Sequence, residues 1–193
     1  MRLRPKNRVH GSSVFQLSVA VAVVLALAAV VSPVVGRELD RAAREQALAD
    51  CSTIARALRS LQRDVGCAPC GFRGAPSYGW LRGPGKPSAF AVPPDGLPGS
   101  LSWFVTEDYM GGGRSWRGPY LAEVPVDPWG RQYVVTVDGY WSRGQDRGAP
   151  ASVPTAGPAR RRIWVLSAGP DGIIETRSTF QAVAGDDIGV LLE

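Results

Sequence analysis

The stretch "GPYLAEVPVDPWGRQYVVTVDGYW", Gly118 to Trp141, sets two prolines, an aspartate, a tryptophan and a glycine directly ahead of a valine-rich run. Asp127-Pro128-Trp129-Gly130 has proline at the second position and glycine at the fourth. The aspartate side chain can accept from the backbone ahead, so the pattern is that of a type I turn. Behind it "RQYVVTVD", Arg131 to Asp138, reads as a strand, with "RRIWVLSA", Arg161 to Ala168, as its partner. A turn feeding a strand is architecture and not chemistry, so the function has to be sought outward from it.

Upstream, "RELDRAAREQALADCSTIARALRSLQRDVG" places Leu48, Cys51, Ile54, Ala55, Leu58, Leu61 and Val65 at spacings of three and four. This is one apolar face of a helix, with Arg44, Glu45, Arg56, Arg59 and Arg63 largely elsewhere. Asp40 with Arg44, and Arg41 with Glu45, add pairs four residues apart, and Gly66 stands where a left-handed C-cap belongs. The Gly/Pro-rich residues 67–100 predict a long irregular loop. "SLSWFVTEDYM" predicts a short helix ended by Gly111-Gly112-Gly113, and residues 141–159 a second irregular excursion.

The chain has 193 residues, room for one core plus appendages, and a formal net charge of +5. Arg2, Arg4, Lys6 and Arg8 supply four of those charges before residue 12, which leaves about +1 for the rest. Nucleic acid is therefore not an expected partner, because phosphate binding needs a basic face and not a basic tail. Arg160-Arg161-Arg162 is a solvated strand start.

From Val14 to Val31, "VFQLSVAVAVVLALAAVV" is 18 residues with only Gln16 and Ser18 polar. That approaches a bilayer span, and its basic left flank should stay cytoplasmic. Two processing schemes fit. A secretory signal peptide would be cut after Val34-Val35-Gly36. The other cut lies at Gly11-Ser12, where a short basic leader ends in glycine directly before the apolar run. Here the sequence resembles the prepilin class of the type IV pilin and type II secretion pseudopilin families, whose leader is removed on the cytoplasmic side and whose apolar helix is retained. Counted from Ser12, Pro33 is the twenty-second residue, where the family has a helix-kinking proline. The family's first residue is aromatic and its fifth a glutamate that neutralises a neighbour's amine. This chain has Ser12 and Gln16 there, and a carboxamide can hydrogen-bond an amine without cancelling its charge.

The opening stretch, two strands and "SAGPDG" at Ser167 to Gly172 together resemble the C-terminal domain of the major pseudopilins, which carry a related series in the same order. The resemblance implies an α+β, pilin-like fold: a long N-terminal transmembrane and amphipathic helix, bent near Pro33 and Gly36, packed on a small antiparallel sheet, with Trp129 plugging the core. The expected divisions are a leader over 1–11, a membrane segment over 12–36, the outer half of the helix over 37–66 and a globular domain over 67–193. It further implies that calcium is held through Asp171, the Ala168 carbonyl, and Asp186 or Asp187, since calcium takes several hard oxygens held on loops. The implied partners are further copies of the chain, other pseudopilins, the inner-membrane secretion platform and a prepilin peptidase. The implied place is the inner membrane, single-pass, with the C-terminal domain in the periplasm. The alternative is an anchored or released periplasmic binding domain that never polymerises.

Catalytic chemistry is not expected. The one histidine, His10, lies in the leader, and there is no Ser elbow, phosphate loop or metalloprotease helix. Glu107-Asp108 and Asp186-Asp187 are adjacent carboxylates of the kind usual at surfaces. Cys67-Ala68-Pro69-Cys70 lacks partner ligands for a metal and follows a helix end where a redox motif would open a helix. A Cys67–Cys70 loop staple is expected, with free thiols as the alternative. Cys51 is expected as a small buried apolar residue.

Overall fold

The computed structural model describes residues 12–65, 78–94, 96–107, 116–137 and 162–192. The chain divides into two compact units, Met1–Ala42 and Ala43–Glu193. Helix α1 is Ser12–Val65. It is followed by strands β1 (Tyr78–Arg82), β2 (Ala89–Phe90) and β3 (Leu97–Ser100), the short helix α2 (Ser102–Val105), and strands β4 (Val134–Thr136), β5 (Ile163–Ser167), β6 (Ile173–Ile174) and β7 (Ile188–Leu192).

The α+β composition is as expected, but the sheet differs from the expected antiparallel one. Five strands run in the order β3-β1-β4-β5-β7. The pairs β1–β4, β4–β5 and β5–β7 are antiparallel, whereas β1–β3 is parallel, so the sheet is mixed. The expected pairing of the two valine-rich strands holds, with Val134 opposite Leu166 and Val135 opposite Val165. A second, two-stranded parallel ribbon joins β2 to β6. Three of these strands lie within or at the end of the stretch expected to be a loop, and β7 was not anticipated.

Alternation along the strands separates two cores. Tyr133, Val135, Val137, Ile163 and Val165 face a cluster containing Cys51, Ile54, Ala55, Leu58 and Leu61 of α1. Val134, Trp164 and Leu166 point the other way, to a cluster with Ala168 and Ile174 against which Trp80, Phe90 and Leu191 pack. With both faces covered, the central strands are apolar at successive positions, which is why they read as continuous hydrophobic runs. Trp129 belongs to neither cluster and is only half-buried, so it is not the expected plug. Tyr133, fully buried, takes that place.

The helix meets the sheet through Cys51 and Ala55, two small side chains four residues apart, flanked by the larger Ile54, Leu58 and Leu61, and Ala47 is buried one turn before them. Leu48, expected on this face, is 47% exposed. Polar contacts fix the helix lengthwise. The Tyr133 hydroxyl donates to Asp50 at 2.9 Å and the Tyr120 hydroxyl to Asp64 at 3.1 Å. The Arg59 guanidinium donates to the Leu191 carbonyl at 3.3 Å. Burial, then the bond to Asp50, pushes the Tyr133 hydroxyl's pKa upward and keeps it a donor.

Cys51 is free, fully buried, and its Sγ lies 3.7 Å from the Ile188 carbonyl. Burial foremost raises its pKa from 9.0 to about 12. The fold thus prefers the neutral thiol, so stability is unaffected by this group below pH 9.0 and declines progressively as pH rises from there to about 12. Because the thiolate is the nucleophile, its fraction near pH 8 falls on the order of 10³-fold against an exposed cysteine. In a Cys67→Ser/Cys70→Ser variant, N-ethylmaleimide should therefore label native Cys51 at least that much more slowly than the urea-unfolded chain. Comparable rates would refute the burial.

Candidate functional site

Two surfaces could carry function. The first is the N-terminal part of α1. Phe15, Leu17, Val19, Val21, Val23, Val24 and Leu25 are each at least 47% exposed, and Val35 and Leu39 are exposed beyond them. Apolar side chains on every side of a helix call for an apolar surrounding, from lipid or from other helices. Gln16 is exposed among them, and the Ser18 hydroxyl turns back to the Phe15 carbonyl at 2.8 Å, so neither interrupts the surface strongly. The helix is continuous through Pro33 and Gly36. Among the described residues, no helix is long and apolar enough to cross a membrane. The run Val14–Val31 is described only in part, since the side chains of residues 14, 27, 28, 30 and 31 lie outside the description, as do those of Ser12 and Pro33. The expected cleavage at Gly11 and the expected Cys67–Cys70 bridge also fall outside the described residues.

The second surface is the C-terminal loop pair, residues 168–187, reached from the Asp127 turn. Asp127 is 4% exposed. Its Oδ1 accepts from the Trp129 N–H at 3.1 Å and the Arg131 N–H at 2.6 Å, and its carbonyl accepts from Gly130 N–H at 2.8 Å. Gly130 has φ of 77°, a conformation open to glycine. The expected turn is therefore present, with its side chain bonding forward. Asp127 Oδ2 accepts from the Ser167 hydroxyl at 2.8 Å, and that hydroxyl's oxygen accepts from Gly169 N–H at 3.3 Å. One buried carboxylate thereby links the turn before β4 to the turn after β5.

The residues expected to hold calcium are brought into this loop pair but do not form a cage. The Ala168 carbonyl accepts from Gly172 N–H at 3.2 Å. Asp171 Oδ1 accepts from Ile173 N–H at 2.8 Å, and Asp186 Oδ2 from Asp171 N–H at 3.3 Å. Asp187 is a structural carboxylate: Oδ2 accepts from Glu175 N–H at 2.9 Å and Thr176 N–H at 2.7 Å, and burial raises its pKa. Its buried Oδ1 has no hydrogen-bond partner. Several of the oxygens that the six to eight ligands of calcium would need are thus already bonded to backbone N–H groups. Among the described residues, no group of three or more His, Cys, Asp or Glu side chains could hold a metal ion. The residue that sequence reasoning missed is Arg131, whose guanidinium donates to the Gly169, Pro170 and Asp171 carbonyls at 2.7, 3.2 and 3.3 Å. A fixed positive charge thus stands where a cation was expected, and the residues present do not fit calcium.

Residues 98–157 match the family model of type II secretion system protein G, the major pseudopilin. This segment is similar to pseudopilin sequence. It begins in β3 and takes in α2, the Asp127 turn and β4, so the motif series that carried the resemblance lies partly inside it. The pseudopilin match covers less than a third of the chain and leaves out the Ser167–Gly172 turn. It also extends into the second Gly/Pro-rich excursion, which the motifs did not cover. The similarity of this segment to protein G supports a pseudopilin-related role in type II secretion. No curated protein and no solved structure gave a significant match.

Proposed function

We propose that this chain is a structural subunit of a type II secretion filament, assembling through its N-terminal helix with copies of itself and other pseudopilins to drive protein export. The match of residues 98–157 to protein G carries the reading. The exposed apolar surface from Phe15 to Leu25 supports it, since such a surface suits both a membrane store and a filament core. In this reading a prepilin peptidase cuts between Gly11 and Ser12, the helix is retained in the inner membrane, and the second unit lies in the periplasm. Gln16 offers a carboxamide to the amine of a neighbouring Ser12, a hydrogen bond without charge neutralisation. A cytoplasmic ATPase on the secretion platform supplies the work.

The test is a clean deletion followed by fractionation. Export of a secreted protein should stop while its synthesis continues, and the complementing chain in the membrane fraction should have the mass of residues 12–193. Unchanged export, or a soluble chain beginning at Arg37, would favour the released binding domain instead.

A further inference from the structure

We propose that Arg131 does for the C-terminal loop what a bound calcium ion would do, so that this chain orders the loop without calcium. Its guanidinium gathers three consecutive carbonyls, those of Gly169, Pro170 and Asp171, and thereby closes the turn after β5 from outside. Hydrogen bonds from an ionised donor are the stronger kind, and a guanidinium offers several in one rigid plane that no working pH removes.

The side chain is held in place from behind. Arg131 N–H donates to Asp127 Oδ1 at 2.6 Å, and the Arg131 carbonyl accepts from Asp127 N–H at 2.9 Å. A bridge to Lys86 fixes the same residue laterally, through Lys86 N–H to Gly130 O and Gln132 N–H to Lys86 O, each at 3.0 Å. Opposite, the loop is shaped to receive it. Gly172 has φ of 84°, and a Cβ there would collide with the guanidinium. On the far side of the turn a Cβ on Gly169, φ 61°, would collide with the Asp186 carbonyl, so the second loop is seated directly against the first.

Calcium would meet two obstacles. The turn carbonyls already accept from a cation, and a like charge at this distance repels a divalent ion. Asp171 and Asp187 each have one oxygen committed to backbone N–H groups, which caps the loops without metal.

The experiment is hydrogen exchange on the full chain in detergent micelles, reading the amides of residues 169–176 and 184–188 in millimolar calcium and in chelator. For the parent, exchange should be the same in both buffers. Arg131→Gln should speed exchange of these amides roughly tenfold or more in chelator, the loss expected for bonds to a charged donor. Calcium that slows exchange only in Arg131→Gln also supports the proposal, because the carbonyls are then vacated. Slower exchange of the parent in calcium overturns it, as does unchanged exchange in Arg131→Gln. Should that variant fail to fold, the parent comparison alone decides. Both readouts are taken on the folded subunit, so their failure leaves the filament reading untouched, and failure of export leaves these results standing.

Discussion

Asp127→Ala should lower the unfolding free energy of the second unit by about 3–5 kcal/mol, the combined cost of lost bonds to an ionised acceptor and of buried donors left unmatched. The parent carboxylate accepts from Trp129 N–H, Arg131 N–H and the Ser167 hydroxyl, and sits 4% exposed. Removing it strands two backbone N–H groups in the turn and the Ser167 hydroxyl in the core. It also removes one of the bonds that hold the Arg131 backbone, so part of the loss spreads to the C-terminal loop that the guanidinium holds. Asp127→Asn keeps an acceptor for the turn and offers its amide to the Ser167 oxygen, so about 1–2 kcal/mol is expected. Ser167→Ala deletes two bonds, the one donated to Asp127 Oδ2 and the one accepted from Gly169 N–H, and should cost about 1–3 kcal/mol. Urea unfolding followed by tryptophan fluorescence gives all three as midpoint shifts at constant slope. A midpoint for Asp127→Ala within 1 kcal/mol of the parent would mean that the buried carboxylate does not organise the two turns.

The turn was readable because its chemistry is local: the aspartate accepts from the N–H groups of the next few residues, the proline presets the bend and the glycine completes it. Strands β4 and β5 were readable for a similar reason, since Val134 to Thr136 and Ile163 to Leu166 are β-branched or apolar without a break. Strand β3 is "LPGS", a loop by composition. Its proline is tolerated because β3 is the sheet's edge. Gly99 is needed because a Cβ there would come within 2.7 Å of Leu81 and 2.9 Å of the Tyr78 ring. Both reasons lie in the partner strand β1, twenty residues away along the chain, and no local pattern reports them. The parallel β1–β3 pair depends on the same distant pairing. On α1, the spacing identifies the apolar face, its small members Cys51 and Ala55 included, but takes in the exposed Leu48 and leaves out Ala57, which is buried in the same cluster. At the C-terminal loop the resemblance drew attention to acidic residues, while the deciding group is a basic one at position 131, forty residues from Asp171 and recognisable only once the two turns are seen together.

Leu58→Ala should cost about 2–5 kcal/mol, the range for a large buried side chain cut back to a methyl, whereas Leu48→Ala should stay within about 0.5 kcal/mol. Leu58 is 1% exposed and lies in the cluster between α1 and the sheet, with Ile54 and Leu61 on the same face. Its removal leaves a cavity between two elements that, among the described residues, are also tied by Tyr133 to Asp50, Tyr120 to Asp64, Arg59 to the Leu191 carbonyl and Cys51 Sγ to the Ile188 carbonyl. Each of those bonds contributes about 1 kcal/mol net, too little to hold the helix by itself. The apolar contact is therefore what couples the helix to the sheet. In the filament reading the consequence is mechanical, because this contact is part of what carries force from the helix to the sheet. Leu58→Ala should then reduce export more than it reduces the amount of chain in the membrane fraction, while Leu48→Ala changes neither. Unfolding of the detergent-solubilised variants gives the stability difference, and fractionation of cells gives the export ratio. Equal losses of stability for the two leucines would contradict the burial on which the coupling rests, and full export with a destabilised Leu58→Ala chain would separate helix packing from secretion.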